Sequence, residues 1–449
     1  MNGGLLEIVQ AINGILWGKV LIFVLVGCGI FFTFNLRGIQ IRKFGTAFKQ
    51  AFGGFSLSGE KAGKDGMTSF QSLATAIAAQ VGTGNLAGAA TAIVSGGPGA
   101  IFWMWISAFF GMATIFAEAV LAQTFKKEVN GQITGGPAYY LRYGMNSKFL
   151  SSFFAVSIII ALGFIGNMVQ ANSIGSAFEA AFHINPLIIG IILAIIAGFI
   201  FIGGIGRIAS FTEKLVPIMA AFYIVGGIVI LFIMGAKTGD AFRQIFVGAF
   251  NPNAVLGGAA GVAVKDTIRY GVARGLFSNE AGMGSTPHAH AVAKVDDPTQ
   301  QGLVAIVGVF IDTFIVLNVT ALVIIATGAN VSGLSGIAVT QKAFEIGFGS
   351  LGIIFVAIAL LFFAFSTIIG WYFFAEANVT YLFGEKSLNI FRVIVLIFIV
   401  LGTTLKVDLV WELADMFNAI MVIPNVIGLV GLSKLVKKAM ISAEERHIL

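Results

Sequence analysis

The sequence predicts an all-α integral membrane protein of about eleven transmembrane helices: one extra N-terminal helix, then a five-plus-five inverted repeat with two broken helices. Three observations predict it. The 449 residues are 57% hydrophobic and only 11% charged, with a mean hydropathy of +0.95, whereas soluble proteins carry about 25% charged residues. Apolar runs of about 20 residues, enough to cross a bilayer, recur along the whole chain. Two of these runs are interrupted at their centres by glycines, amides and hydroxyls. No ten-residue alternation marks a membrane β-barrel.

The first interruption is Gln80-Val81-Gly82-Thr83-Gly84-Asn85, in the middle of an apolar run over 67–94. A glycine costs about 1 kcal/mol against alanine in a helix. Irregular backbone at membrane depth is tolerated only where it faces protein or a wet cavity. The stretch is therefore expected to be a helix break whose freed N–H and C=O groups bind something. A small-residue packing seam is the alternative, but such a seam has no need of Gln80 and Asn85.

In chain order, the first crossing is expected at 17–36, after an interfacial segment carrying Leu5, Leu6, Ile8, Val9 and Ile12. The basic loop 37–66 has Phe44, Phe48, Phe52 and Phe55 at helical spacing, which predicts a surface-lying amphipathic helix. The broken helix 67–94 follows, then 98–125, 151–180, 186–204 and 213–236, and a more polar connection over 237–264. A second interrupted element is expected at 266–293, followed by crossings at 302–327, 351–382, 388–404 and 409–436, with an outer loop helix at 337–348. The regions are thus 1–66, a first repeat 67–236, the connection 237–264, a second repeat 265–436 and a tail 437–449.

Positive charge orients the map. Nineteen of the 27 Lys and Arg residues fall on one side, including Arg37, Arg42, Lys43, Lys61, Lys64, Lys126, Lys214 and Lys434. Five fall on the other: Lys19, Lys237, Arg243, Lys342 and Lys406. That places the C-terminus in the cytoplasm and the N-terminus outside, in the cell membrane. The net charge of +6 is then topological and no sign of a nucleic-acid partner. The single cysteine, Cys28, excludes an intrachain disulfide.

Without the first crossing, ten remain, in two groups of five that each open with an interrupted segment. Five is odd, so the groups enter the membrane from opposite sides. The second interruption is Ser278-Asn279-Glu280-Ala281-Gly282-Met283-Gly284-Ser285, with Pro287 after it. Paired broken helices at matching places in two inverted halves point to a transport site near the midplane. Half-helix N-termini offer N–H groups to a carboxylate, and unwound carbonyls hold a cation. Gapped helices also occur in channels, so a pore remains an alternative. No nucleophile–base pairing, metal motif or nucleotide loop suggests an enzyme.

The string Gly96-Gly97-Pro98-Gly99-Ala100-Ile101-Phe102-Trp103-Met104-Trp105-Ile106, closing at Gly111, resembles the signature of the alanine or glycine:cation symporter family. The two interruptions resemble that family as well, and the likeness runs over nearly the whole chain. The family is in turn similar to transporters with the leucine-transporter fold. The resemblance implies import of alanine or glycine driven by sodium, less often by protons, through alternating access. The lipid bilayer is then the remaining partner, and no obligate protein partner is inferred.

By the same resemblance, the Thr83 and Gly84 N–H groups would receive the substrate carboxylate, beside Gln80. Carbonyls around Phe277, Ser278 and Asn279 would accept the ammonium. Phe277, Met283 and Trp371 would wall a pocket with room for little more than a methyl group. Of the two amides set among apolar residues at Gln170 and Asn172, Gln170 is the one expected to reach the substrate, with helix–helix bonding as the alternative. Carbonyls of Ala78 and Val81 with hydroxyls of Ser366 and Thr367 would hold Na+, a hard cation that wants oxygen. Thr367 and Trp371 lie on one helical face. Ser and Thr in membrane helices also bond the preceding turn's carbonyl, and aromatic residues there also serve packing. Asn85 with Ser278 and Asn318 would allow a second cation site.

The second interruption departs from the usual apolar pattern, because Lys265, Asp266, Arg269, Arg274 and Glu280 crowd it. Charges in the membrane are costly and usually paired. The spacing suggests Asp266 with Arg269, and Glu280 either with Arg274 or as a cap on the second half-helix. Of the other acids, Asp312 is expected in mid-helix and is the candidate proton or cation carrier. Glu118, Glu179, Glu376 and Asp415 are expected nearer helix ends, in solvated or capping roles. His288 and His290 are expected at a cytoplasmic mouth, since two nitrogens do not complete a metal site.

Overall fold

Apolar surroundings force each backbone polar group to find its partner within its own segment, and helix dominates this chain accordingly. The structure is a computed structural model that describes residues 2–53, 66–252, 255, 263–405 and 407–449. Phe55, Lys61, Lys64, Lys406 and much of the later part of the 237–264 connection lie outside the described residues.

Seven described helices are long and apolar enough to cross a membrane: Gly4–Asn35, Ala100–Thr124, Lys148–Phe182, Gly204–Met234, Pro298–Thr327, Ser350–Phe383 and Asp408–Gly431. The pair Ser69–Gln80 and Gly84–Gly96, bent by 49° at its break, makes an eighth, and Pro186–Ile202 is a shorter apolar helix. The molecule is therefore a multi-pass membrane protein. Its outward faces carry Phe23, Phe199, Ile202 and Phe232 in the open, each more than 60% exposed, as expected where lipid is the solvent.

Several boundaries differ from the sequence expectation for physical reasons. The helix expected to start at 213 begins at Gly204. One face of its first turns is buried, where Thr212 bonds Thr75 at 2.9 Å and Glu213 accepts Gln71 at 3.1 Å from the first broken helix. The polar connection contains a helix, Ala236–Phe250, whose Phe246 and Phe250 pack on Phe102 and Trp103. A short hairpin, Lys127–Val129 with Gln132–Thr134, was not foreseen. The amphipathic helix Phe44–Phe52 forms as expected, but Phe44 and Phe48 pack against Phe310.

The two broken helices run in opposite directions. Met67, before the start of the first, pairs with the end of the second: Met67 N–H donates to Val292 C=O and Lys294 N–H to Met67 C=O, both at 2.9 Å. At the other end, Gly96 of the first faces Thr267 and Tyr270 near the start of the second. Their breaks consequently meet partway along.

Candidate functional site

The first half-helix, Ser69–Gln80, is started by a capping box of Thr68 and Gln71 and stops where Val81 turns to extended backbone. A π-helical turn, Gly84–Gly88, resumes the chain, and such turns leave backbone groups without the usual partner. Side chains fill part of that gap. Asn85 Oδ1 accepts the Gly82 N–H at 3.0 Å, and Gln170 Oε1 accepts the Thr83 N–H at 3.2 Å. Two buried oxygens at the break, Gln80 Oε1 and Thr83 Oγ1, have no hydrogen-bond partner.

Contact with the second break is direct. Gln80 Nε2 donates to the Asn279 carbonyl at 2.7 Å. A Cβ on Gly84 would lie 3.0 Å from Ser278 Cα and 3.2 Å from its hydroxyl. Glycine is thus what lets the two main chains approach.

On the other flank, Ser350–Phe383 brings two hydroxyls to the carbonyls of the first half-helix. Thr367 Oγ1 lies 2.9 Å from Ala78 O and 3.4 Å from Val81 O, and Ser366 Oγ lies 3.3 Å from Ala78 O. Both hydroxyls also reach the Phe363 carbonyl in their own helix, at 3.0 and 2.8 Å. The bond to the preceding turn and the convergence on the break therefore coexist. A Cβ on Gly82 would fall 2.3 Å from Thr367 Oγ1, so no side chain fits there. These four neutral oxygens are the donor chemistry that a hard monovalent cation requires.

The second break is longer. Val264–Asn279 ends at Glu280, and Pro287–Ala291 begins after a turn with Glu280, Gly282 and Gly284 at φ of 58°, 84° and 83°. Glu280 is the one side chain forced into that left-handed region here, at a cost of about 1–2 kcal/mol. Its Oε1 accepts the Trp371 indole N–H and its Oε2 the Ser285 hydroxyl, each at 2.5 Å. Phe277 meets the Trp371 ring edge-on at 6.4 Å. Met283 is buried, and its N–H donates to the Glu280 carbonyl.

Glu118 corrects the sequence expectation. It sits inside Ala100–Thr124 and is fully buried. Its two oxygens accept the Gly282 and Gly284 N–H groups, both at 2.9 Å, and Asn425 Nδ2 at 2.7 Å. Asn425 also donates to the Gly282 carbonyl at 2.9 Å and accepts Tyr140 OH. The signal that could have found Glu118 was its isolation in an apolar run, where a charge is costly unless it is used.

Other charges resolve differently from expectation. Arg274 makes two bonds to Asp415, at 2.9 and 2.7 Å, with its guanidinium over Trp411, and does not reach Glu280. Asp415 is thus half of an ion pair and no solvated end. Among the described residues Asp266 and Arg269 form no ion pair; Arg269 lies over the Tyr270 ring instead. Glu376 pairs with Arg392 at 3.1 Å. The two histidines are buried: His288 bonds Ser285 O and Asn378, and His290 bonds Gln301.

Asp312, on the π-helical stretch Phe310–Leu317, joins the two breaks. Its Oδ1 accepts Asn85 Nδ2 at 2.7 Å and Ser278 Oγ at 3.0 Å, while Oδ2 accepts Thr313 Oγ1 at 2.8 Å. Asp312 stands beside Asn85 and Ser278, where the sequence reading expected Asn318, whose Oδ1 finds no partner. Asn172, the other amide beside Gln170, points elsewhere, to the carbonyls of Gly402 and Leu405.

The chain matches the sodium:alanine symporter family over residues 2–447. It is 42% identical to the sodium/alanine symporter AgcS of Methanococcus maripaludis, covering 96% of this chain and 95% of that one. It is also 42% identical to the probable sodium/glutamine symporter GlnT of Bacillus subtilis, covering 97% and 90%. Among solved structures it is similar to MhsT in complex with L-phenylalanine, with a TM-score of 0.59 and 14% identity over 85% of this chain and 98% of that one. That likeness shows a shared fold. On the strength of matches that run from end to end, this chain belongs to the sodium:alanine symporter family.

Proposed function

We propose that the protein is a sodium-coupled symporter that imports alanine or glycine across the cell membrane by alternating access. It would do so with about eleven crossings, the N-terminus outside and the C-terminus inside. One observation carries the reading: two opposed broken helices meet, with four neutral oxygens of Ala78, Val81, Ser366 and Thr367 gathered beside the meeting point. Sodium, as co-transported cargo, takes those oxygens. The amino-acid carboxylate takes the Thr83 and Gly84 N–H groups and displaces Gln170 Oε1 from the first of them. Carbonyls of Phe277, Ser278 and Asn279 face the ammonium. Phe277, Met283 and Trp371 limit the side chain to hydrogen or methyl, which is why glutamine, named for one relative, is not favoured here.

Uptake of labelled alanine into proteoliposomes, with and without sodium at fixed pH, tests this. Saturable uptake that needs sodium is expected. Uptake that follows a proton gradient instead favours the second reading, in which the Asp312 carboxylate between the breaks carries the coupling charge. Conductance without saturation would mean a channel.

A further inference from the structure

Three fully buried carboxylates surround the breaks: Glu118, Glu280 and Asp312. Among the described residues none of them has a Lys or Arg partner, since Arg274, on the Val264–Asn279 helix that leads into the second break, is taken by Asp415. Their partners are neutral donors only. Burying a carboxylate without an opposite charge costs several kcal/mol, so such a group is suited to a cation that comes and goes.

The three differ in how tightly they are held. Glu118 accepts two main-chain N–H groups and an amide from the surrounding helices, and Asp312 three side-chain donors. Glu280 holds one indole and one hydroxyl, one on each oxygen. It also directly follows Asn279, whose carbonyl touches Gln80 of the first break. Its left-handed backbone, in a residue other than glycine, is the kind of strain that persists where a side chain must be aimed. The indole that it holds belongs to Trp371, one turn beyond the Thr367 hydroxyl and edge-on to Phe277. The orphaned Thr83 Oγ1 and Gln80 Oε1 are further buried acceptors at the same meeting point.

We propose that Glu280 is the countercharge for the ammonium group of the transported amino acid, which displaces the Trp371 indole from its carboxylate. The proposal rests on the symport reading above and adds to it a residue and a selection rule. The ionised Glu280 pairs with the ammonium without proton transfer, and the freed indole swings as the pocket fills. A 2-hydroxy acid of the same size, which lacks the positive charge, leaves the carboxylate unpaired and is rejected. Sites built around a buried polar partner discriminate strongly against analogues that lack it.

The experiment is binding of L-alanine and of L-lactate to the purified full chain in sodium buffer, by calorimetry, for the native protein and for Glu280→Gln. Glutamine at 280 still accepts the indole, so the fold is preserved. The native protein is expected to prefer alanine, and Glu280→Gln to lose at least about thirtyfold of that preference, the scale of removing one partner from a buried charge pair. A preference for alanine over lactate that stays within threefold of native would overturn the proposal. Ser285→Ala is the second variant: it removes the hydroxyl on Glu280 Oε2 and leaves the carboxylate in place, so the preference for alanine over lactate is expected to stay within threefold of native. A loss of preference as large as that of Glu280→Gln would count against the carboxylate as the countercharge. Should the native protein bind neither alanine nor glycine, the symport reading fails first, independently of Glu280.

Discussion

The two breaks solve the same physical problem with different materials. Both leave main-chain N–H and C=O groups without helical partners at membrane depth. The first, three residues long, is patched by neutral amides and hydroxyls: Asn85, Gln170 and Thr367. The second is longer, turns through three left-handed residues and is gripped by carboxylates from within and without, Glu280 and Glu118. Neutral partners at 3.0–3.4 Å are exchanged at small cost. A buried carboxylate with two N–H donors is not. The main chain of the first break is therefore where ligands can replace protein groups, whereas the main chain of the second is anchored to the scaffold through Glu118 and leaves only the Glu280 side chain open to exchange.

The largest expected effect comes from removing the anchor. Glu118→Ala leaves the Gly282 and Gly284 N–H groups buried and unpartnered, at about 1–3 kcal/mol each. The variant is expected to lose transport and to show a clearly lower unfolding temperature in detergent. Gln170→Ala, its counterpart at the first break, strands only the Thr83 N–H and should destabilise by about 1–2 kcal/mol. Equal losses of thermal stability in the two variants would erase the proposed division between an anchored and an exchangeable break.

A smaller effect is expected at the neutral oxygens. Thr367→Ala removes the hydroxyl that reaches both Ala78 and Val81, and the half-saturation concentration of sodium for uptake should rise about tenfold, equivalent to roughly 1.4 kcal/mol. Ser366→Ala, whose hydroxyl reaches Ala78 at 3.3 Å, should shift it less. The reverse order, or no shift in either, would remove these hydroxyls from the cation site.

The breaks themselves were legible because glycines together with amides at membrane depth fit a packing seam poorly, and the structure interrupts both helices, at 81–83 and at 280–286. Their contacts were legible only in part. Thr367 near Ala78 followed from resemblance. Glu118 was hidden, because one sequence cannot say which face of an apolar helix meets a turn more than 150 residues away. The pairing of Arg274 was misread for the same reason: residues close in sequence seemed the natural partners, whereas Asp415 arrives from a helix near the other end of the chain. The stretch 205–212 read as a loop because Thr75 and Gln71, the partners of Thr212 and of the adjoining Glu213, lie in another segment.

The smallest effect tests whether the two breaks also move differently. At one end they are tied by the bonds of Met67 to Val292 and Lys294. The residue before that tie, Gly66, has φ +116°, and a Cβ there would sit 2.4 Å from the Val292 carbonyl. Gly66→Ala must therefore push the tie apart or strain the backbone, at a cost of order 1–3 kcal/mol. At the opposite end Gly96 has an ordinary backbone, and its Cβ would meet only side-chain and Cα atoms at 3.1–3.3 Å. If the tie closes one mouth of the transport path, loosening it should expose Ser72, which is buried there and bonded to the Ala289 carbonyl. A cysteine probe introduced as Ser72→Cys, with Cys28→Ser as background, should then react with a thiol reagent about tenfold faster in Gly66→Ala, the factor that 1.4 kcal/mol gives. Gly96→Ala should leave that rate unchanged. Equal labelling in all three proteins would mean that the tie is only a structural link and that the second break is anchored at Glu118 alone.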